Sequence, residues 1–427
     1  MPRPPPRSRR PRPAPDRRDA LYVDVMTYDV AAVRSLFPAL LEGAAHFDGP
    51  GGSQTPTPVA EAVRDTLVSA ISNRGEVTAS ERRAEGVVVA ARAAMADLLG
   101  ADPRGVVFGR SATALTYDLS RALARTWEPG DEVIVTRLDH DSNIRPWVQA
   151  AESVGAVVKW ADFEPDTGEL HSEAVTSLLT DRTRLVATSA ASNLIGTKPP
   201  VCKIARAVHE VGALHWVDGV HATAHASVDL DALGVDFWTC SPYKFLGPHL
   251  GVVAASPALL ETLKMDKLLP SSDAVPERFE LGTLPYELLA GVTAAVDVLA
   301  GLDPSATGTR RERILASFDA LQEHEHRLLD RLEAGLLGMP GVRLFSNARK
   351  RTPTLLFTVE GRSPQEVRRA LAESGVNAPA GHFYAIEASR HLGLGDDGGV
   401  RVGLAPYTDS NDIDRLLTAL TDLSPTT

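Results

Sequence analysis

The stretch Cys240-Ser241-Pro242-Tyr243-Lys244-Phe245-Leu246-Gly247-Pro248-His249-Leu250-Gly251 sets one lysine between an apolar run, Phe237–Ser241, and a Gly/Pro turn. That run and the one after the turn, Gly251–Ala255, both read as short buried strands. A lysine so placed has lost much of its water, and an unpaired ammonium there is costly unless it is neutralised or covalently engaged. A desolvated lysine with a lowered pKa is what Schiff-base chemistry needs. Most lysines are solvated surface groups, so the argument turns on what surrounds this one.

Outward from it, short apolar runs alternate with helical patterns. Strands are expected at Val106–Phe108, Glu132–Thr136, Val157–Trp160, Leu185–Ser189 and Ala213–Asp218. Helices are expected at Val87–Leu99, Ala112–Arg125, Pro146–Val154, Ser172–Leu179 and Pro200–Val211. The alternation predicts an α/β fold with a doubly wound, mainly parallel central sheet covered on both faces. After about residue 290 the rhythm changes. Helices at Pro285–Leu299 and Arg311–Leu337 flank a Gly/Pro/Ser break, followed by Thr354–Val359, the helix Pro364–Ser374 and a closing strand, Val400–Leu404. A small α+β domain is predicted there, joined by an N-terminal helix at Val30–Leu41. The expected boundaries are a leader over 1–25, a large domain over 48–297, and a small closing domain built from 26–47 and 298–427.

Open α/β sheets bind ligands at the carboxyl ends of their strands. GxxxxGK[ST] does not occur, and the one GxGxxG spacing, Gly393-Leu394-Gly395-Asp396-Asp397-Gly398, runs into the strand Val400–Leu404 rather than opening a helix after a strand, so the usual nucleotide-cradling loops are missing. Gly109-Arg110-Ser111-Ala112-Thr113 instead ends one strand and opens a helix. Free N–H groups at a helix start, with the Ser111 and Thr113 hydroxyls, suit a phosphate. Trp216-Val217-Asp218-Gly219-Val220-His221 ends another strand with an acid. Together with Lys244 these make a pyridoxal phosphate site: the lysine forms an imine, the acid pairs with the pyridinium nitrogen, and the helix start holds the phosphate.

Composition limits the alternatives. The 427 residues carry 44 Lys+Arg against 55 Asp+Glu, a net charge of −11. Residues 1–18 hold seven Arg and one Asp, which leaves the remainder at −17. A body that acidic argues against nucleic acid or an anionic membrane as the main partner. The Pro/Arg-rich leader has neither an apolar signal core nor a transit-peptide pattern and reads as disordered, with Met26 as an alternative start. No apolar run of about 18 residues predicts a transmembrane helix. Only Cys202 and Cys240 occur, without a Cys/His cluster, so neither a disulfide framework nor a metal site is expected. A cytoplasmic protein is predicted.

On these residues the chain resembles the class V aminotransferase group of fold-type-I pyridoxal phosphate enzymes, within it the cysteine desulfurase-like branch, over roughly residues 30–420. The resemblance implies that Lys244 is the Schiff-base lysine, Asp218 the partner of the pyridine nitrogen, and His140, in LDHDSNIRPW, the histidine stacked on the ring. It implies that Ala112, Thr113 and Ser241 hold the phosphate, and that Asn193, in SNLIGT, contacts the ring hydroxyl and the substrate. His221 stands where the family has a Gln, and Tyr243 where many desulfurases have a phosphate-binding His. Thr283, in ELGT, would reach the phosphate of a second subunit, which implies a homodimer with shared sites. Arg401, in VRVGLAPYT, would bind the α-carboxylate of an amino-acid substrate.

The chain departs from the desulfurases in one chemical respect. Their mobile persulfide-forming cysteine would fall in Gly381-His382-Phe383-Tyr384-Ala385, where this chain has Tyr384. With His249 and Tyr243, this is similar to a subgroup that includes a decarboxylative aldolase. The implied activity proceeds through an external aldimine of an L-amino acid to loss of a Cβ substituent. Decarboxylative C–C bond formation and transamination are the alternatives. Tyr384, His382 and His249 are expected to decide between them.

Overall fold

The protein is described from a computed structural model covering residues 28–421 and 423, so the leader expected at 1–25 and Met26 lie outside the described residues. After a two-residue strand, β1 (Ala45–His46), the chain lays down β2 (Val106–Gly109), β3 (Glu132–Thr136), β4 (Val157–Ala161), β5 (Thr183–Ser189), β6 (Leu214–Asp218), β7 (Phe237–Cys240) and β8 (Gly251–Ala255). These seven form one sheet in the order β2-β8-β7-β6-β5-β3-β4. Neighbours from β7 to β4 run parallel, and β8 is antiparallel to both β7 and β2. The mainly parallel α/β sheet expected from the sequence is present.

Alternate residues of these strands point to opposite faces. Val107, Trp216, Phe237 and Val253 enter one core, and Phe108, Val217, Trp238 and Val252 the other. Both faces are covered, which is why the strands read as unbroken apolar runs.

The rest of the chain builds β9 (Val342–Leu344), β10 (Thr354–Val359), β11 (Val376–Asn377), β12 (Ala380–Gly381) and β13 (Gly399–Gly403). A four-stranded sheet has the order β12-β13-β10-β9, antiparallel throughout, and β11 pairs with β1. The helix Arg310–Leu337 ties the two parts together. Its first half packs Ile314, Phe318 and Leu321 into the large-sheet core, and its second half sends Leu328, Leu332 and Leu336 against β10 and β13.

Three expectations are corrected. The helix expected over Val30–Leu41 stops at Ser35, and a separate 3₁₀ turn covers Pro38–Glu42. Pro38 cannot donate its N–H and pushes Phe37 into extended backbone. The helix expected from Val87 starts at Ala79, where Thr78 and Glu81 form a reciprocal cap. The helix expected over Ser172–Leu179 ends at Thr176. Among the described residues no helix is long and apolar enough to cross a membrane.

Candidate active site

Every strand end that the sequence singled out opens onto one cavity. It is lined by Ser111, Ala112 and Thr113 after β2, His140 after β3, Asn193 after β5, Asp218 and His221 at and after β6, and Ser241, Tyr243 and Lys244 after β7. The lysine turn is held from far along the chain. Ser53 donates its backbone N–H to the Tyr243 carbonyl (3.0 Å), and its hydroxyl oxygen accepts from Leu246 N–H (2.8 Å). Lys244 Nζ donates to the Pro50 carbonyl at 2.7 Å and meets no carboxylate within ion-pair distance. Burial pushes its pKa down to about 8; Arg401 adds to the fall and Asp218 opposes it. At that value a usable fraction of neutral amine exists near neutral pH.

Asp218 is buried, and one of its oxygens accepts from Val220 N–H at 2.8 Å. Burial raises its pKa to about 6, against the pull of that hydrogen bond and of Lys244. Ser111 caps the helix Ala112–Ala124 by accepting from Ala114 N–H, which leaves the Ala112 and Thr113 N–H groups facing the cavity. Gly251 makes this cradle possible: a β-carbon there would lie 2.1 Å from Ser111 C and 2.3 Å from Ala112 N.

His140 is fixed by Ser142, whose backbone N–H donates to His140 Nδ1 at 3.1 Å and whose hydroxyl lies 2.8 Å from the same atom. An Nδ1 that accepts from a backbone N–H puts the proton of the neutral ring on Nε2. The ring is neutral, because burial, then Lys244 and Arg401, push its pKa down to about 3. His221 directs Nε2 to the hydroxyls of Thr352 and Thr354, each at 3.0 Å, so it is braced by β10 and the residues just before it.

A second, outer cavity of about 590 Å³ shares Thr113, His140, Asn193, Tyr243 and Lys244 with the first and adds Tyr117, Arg145, Phe383, Tyr384 and Arg401. Arg401, on β13, is 2% exposed. Its Nη1 donates to the Asn193 carbonyl at 2.8 Å, and its Nε has no partner. Arg145 pairs with Asp141 and Glu387. Three expected residues lie apart, and one of them, His382, lines neither cavity. His249 is exposed and stacks on Tyr243 (ring centroids 4.7 Å, 8°) without lining either cavity. Thr283 is exposed and outside both cavities.

Residues 45–416 match the family described as Aminotransferase class-V. The chain belongs to the class-V aminotransferase family. It is a pyridoxal phosphate-dependent enzyme. An uncharacterized protein of Mycobacterium tuberculosis is 37% identical over 93% of this chain and 100% of its own length. An aminotransferase-like protein of Gibberella zeae is 33% identical over 92% of this chain and 98% of its own. A probable cysteine desulfurase of Pseudomonas aeruginosa is 31% identical over 91% and 96%. The crystal structure of the Escherichia coli cysteine desulfurase CsdA superposes with a TM-score of 0.80 at 25% identity, covering 92% of this chain and 98% of that one.

The cavity fits the cofactor of this family on its own atoms. It offers a buried acid with no cation on it, a lysine without an acid at contact distance, and two free helix-start N–H groups. One lining polar atom, Asn193 Oδ1, is buried and unpartnered. Such atoms are rare unless something else satisfies them. Among the described residues no cluster of three His, Cys, Asp or Glu side chains could hold a metal ion. Sequence reasoning missed the supports: Ser142 for His140, Thr352 and Thr354 for His221, Pro50 and Ser53 for the lysine turn, and Phe383 over Arg401.

Proposed function

We propose that this class-V enzyme removes a Cβ substituent from an L-amino acid and releases it directly into solution, without a persulfide carried on the protein. The observation behind this reading is the segment Gly381–Ala385, which carries Tyr384 and no thiol. Cys240 is fully buried in β7, where burial pushes its thiol pKa up. Cys202 is exposed on the helix Val201–Glu210 and lines neither cavity.

In this reading Lys244, Asp218, His140, Asn193, His221, Tyr243 and Ser241, with the Ala112–Thr113 helix start, hold the cofactor. Pyridoxal phosphate supplies a protonated ring that accepts the electron pair when a bond to Cα breaks. Arg401 takes the α-carboxylate on its Nε–Nη2 edge, because Nη1 is committed to Asn193. Lys244, as the neutral amine, takes the proton from Cα and can return it. Asp218, ionised, would pair with the protonated ring nitrogen of the bound cofactor. His140 presents Nε2–H and can donate to a departing group. Tyr384 stands at the outer wall, where the leaving group exits.

A panel of cysteine, cysteine sulfinate, S-substituted cysteines and aspartate, followed for pyruvate, ammonia, sulfide and carbon dioxide, tests the proposal. Pyruvate and ammonia in equal amounts are expected, and the variant Cys202→Ser/Cys240→Ala should turn over like the parent. A catalytic persulfide on either cysteine would overturn it. The outer cavity also supports a second reading, C–C bond formation, since about 590 Å³ leaves room for a second reactant beside a small amino acid. Adding an aldehyde to the same panel would then divert carbon from pyruvate into a larger amino acid.

A homodimer is part of the proposal. Thr283 is exposed two residues after Leu281, which is 60% exposed, and Leu268 and Leu269, earlier in the same stretch 265–283, are 71% and 97% exposed. Large apolar side chains left this exposed are ones that another chain can cover. Light scattering should give twice the chain mass, and Leu269→Asp should shift it toward the single chain.

The domain boundaries, 48–297 against 26–47 with 298–427, are proposed on the same footing: each part has its own sheet, and the site lies between them.

A further inference from the structure

Two consecutive non-glycine residues, Phe383 (φ 52°) and Tyr384 (φ 61°), sit in the left-handed region. Residues with a β-carbon hold that conformation only where their surroundings enforce it, and such strain gathers at functional sites. The enforcement here is explicit. Asn193 Nδ2 donates to the Phe383 carbonyl at 2.9 Å, and Asp141 N–H donates to the Tyr384 carbonyl at 2.8 Å. Tyr384 N–H donates to His382 Nδ1 at 3.1 Å. Gly398 lies directly beneath, where a β-carbon would come 2.1 Å from the Gly381 carbonyl oxygen.

The strained pair puts two rings on two site residues. Phe383 covers the face of the Arg401 guanidinium, with Cζ 3.7 Å from the ring centroid. Tyr384 stacks on His140, with centroids 5.4 Å apart at 30°. Asn193 joins the arrangement from the other side: its amide holds the Phe383 carbonyl while its own carbonyl holds Arg401 Nη1. The guanidinium is therefore fixed along one edge and over one face. Its Nε–Nη2 edge is the one left open, with Nε buried and unpartnered.

We infer that Phe383 is a positioning residue for substrate carboxylate binding, and that the segment His382–Ala385 is a fixed aromatic brace in this chain. The inference rests on the assignment of Arg401 to the α-carboxylate made above. Stacking an aromatic ring on a guanidinium keeps the cation in one orientation without competing for its N–H donors. The fork is then pre-aligned for a two-point contact before substrate arrives.

The test is equilibrium titration of the cofactor-loaded enzyme with L-alanine, which has no leaving group at Cβ, and with ethylamine, which has no carboxylate. Phe383→Gly should weaken L-alanine binding about tenfold and leave ethylamine unchanged. Its melting temperature should move little, because relief of strain at φ 52° offsets the loss of a half-buried ring. Phe383→Tyr, which keeps the ring, should restore L-alanine affinity. The inference is overturned if Phe383→Gly binds L-alanine as the parent does, or if both probes weaken equally. Arg401→Ala separates the premise from the inference: it should erase the preference for L-alanine over ethylamine, and if it does not, the carboxylate assignment itself is wrong.

Discussion

Replacing Lys244 by alanine is expected to lower turnover by a factor of about 10³ or more, the upper range for removing a positioned acid–base group, and to end covalent attachment of the cofactor. Among the described residues that line the two cavities, Lys244 is the one lysine. Borohydride reduction followed by intact-mass measurement should show the cofactor's mass on the parent and none on Lys244→Ala. The pH dependence follows from the same environment. Attachment requires the neutral amine, so its rate should climb with pH and level off above about 8, where the buried Lys244 amine is mostly neutral. A solvated lysine would keep climbing to about 10.4. Arg401 lowers the lysine's pKa through its positive charge, so Arg401→Met should move the midpoint upward. Attachment in Lys244→Ala at the parental rate would refute the assignment.

The sheet and the placing of Lys244 just beyond a strand's carboxyl end were legible in sequence for one reason: both are local. Each apolar run is a strand because both of its faces are buried, and the candidate residues of the large sheet sit within a few positions of a strand's carboxyl end. Thr136 leads to His140, Ser189 to Asn193, and Cys240 to Lys244 within four residues. Helix starts were partly legible. Thr78-Ala79-Ser80-Glu81 announces the start at Ala79, but a reading based on apolar periodicity waits until Val87 for its first strong signal. Pro38 carried its own warning against a helix running through to Leu41.

What the sequence could not yield is contact between distant segments. Ser53 and Tyr243 are 190 residues apart, as are Asn193 and Phe383, while His221 and Thr352 are separated by 131. None of these pairs has a periodicity or a motif, because each is created by tertiary packing alone. The resemblance places Tyr384 where the desulfurases carry their cysteine. Its left-handed backbone and the Phe383–Arg401 stack beside it could be found only in coordinates.

Asp218→Asn is the second variant with a large expected effect, a fall in turnover of about 10²- to 10³-fold, the cost of losing one pre-aligned electrostatic partner. Asparagine keeps the shape and the oxygen that accepts Val220 N–H, so the cofactor should still attach to Lys244. It cannot carry negative charge. That charge belongs to Asp218 rather than to its neighbour Asp139. Burial raises Asp139 to about 8 and Asp218 adds to the rise, whereas Asp218 itself stands at about 6. Near neutral pH the first therefore holds a proton and the second does not. Asp218→Ala would further leave the Val220 N–H unpaired, for a stability loss of about 1–3 kcal/mol. The two variants thus separate charge from fold. In the cofactor-free protein, Asp218 binds its proton more tightly folded than unfolded, so its contribution to stability falls as pH rises from about 4 to about 6. Thermal melts across that window should show the decline in the parent and lose it in Asp218→Asn. Parental turnover in Asp218→Asn would mean that the ring nitrogen's partner lies elsewhere.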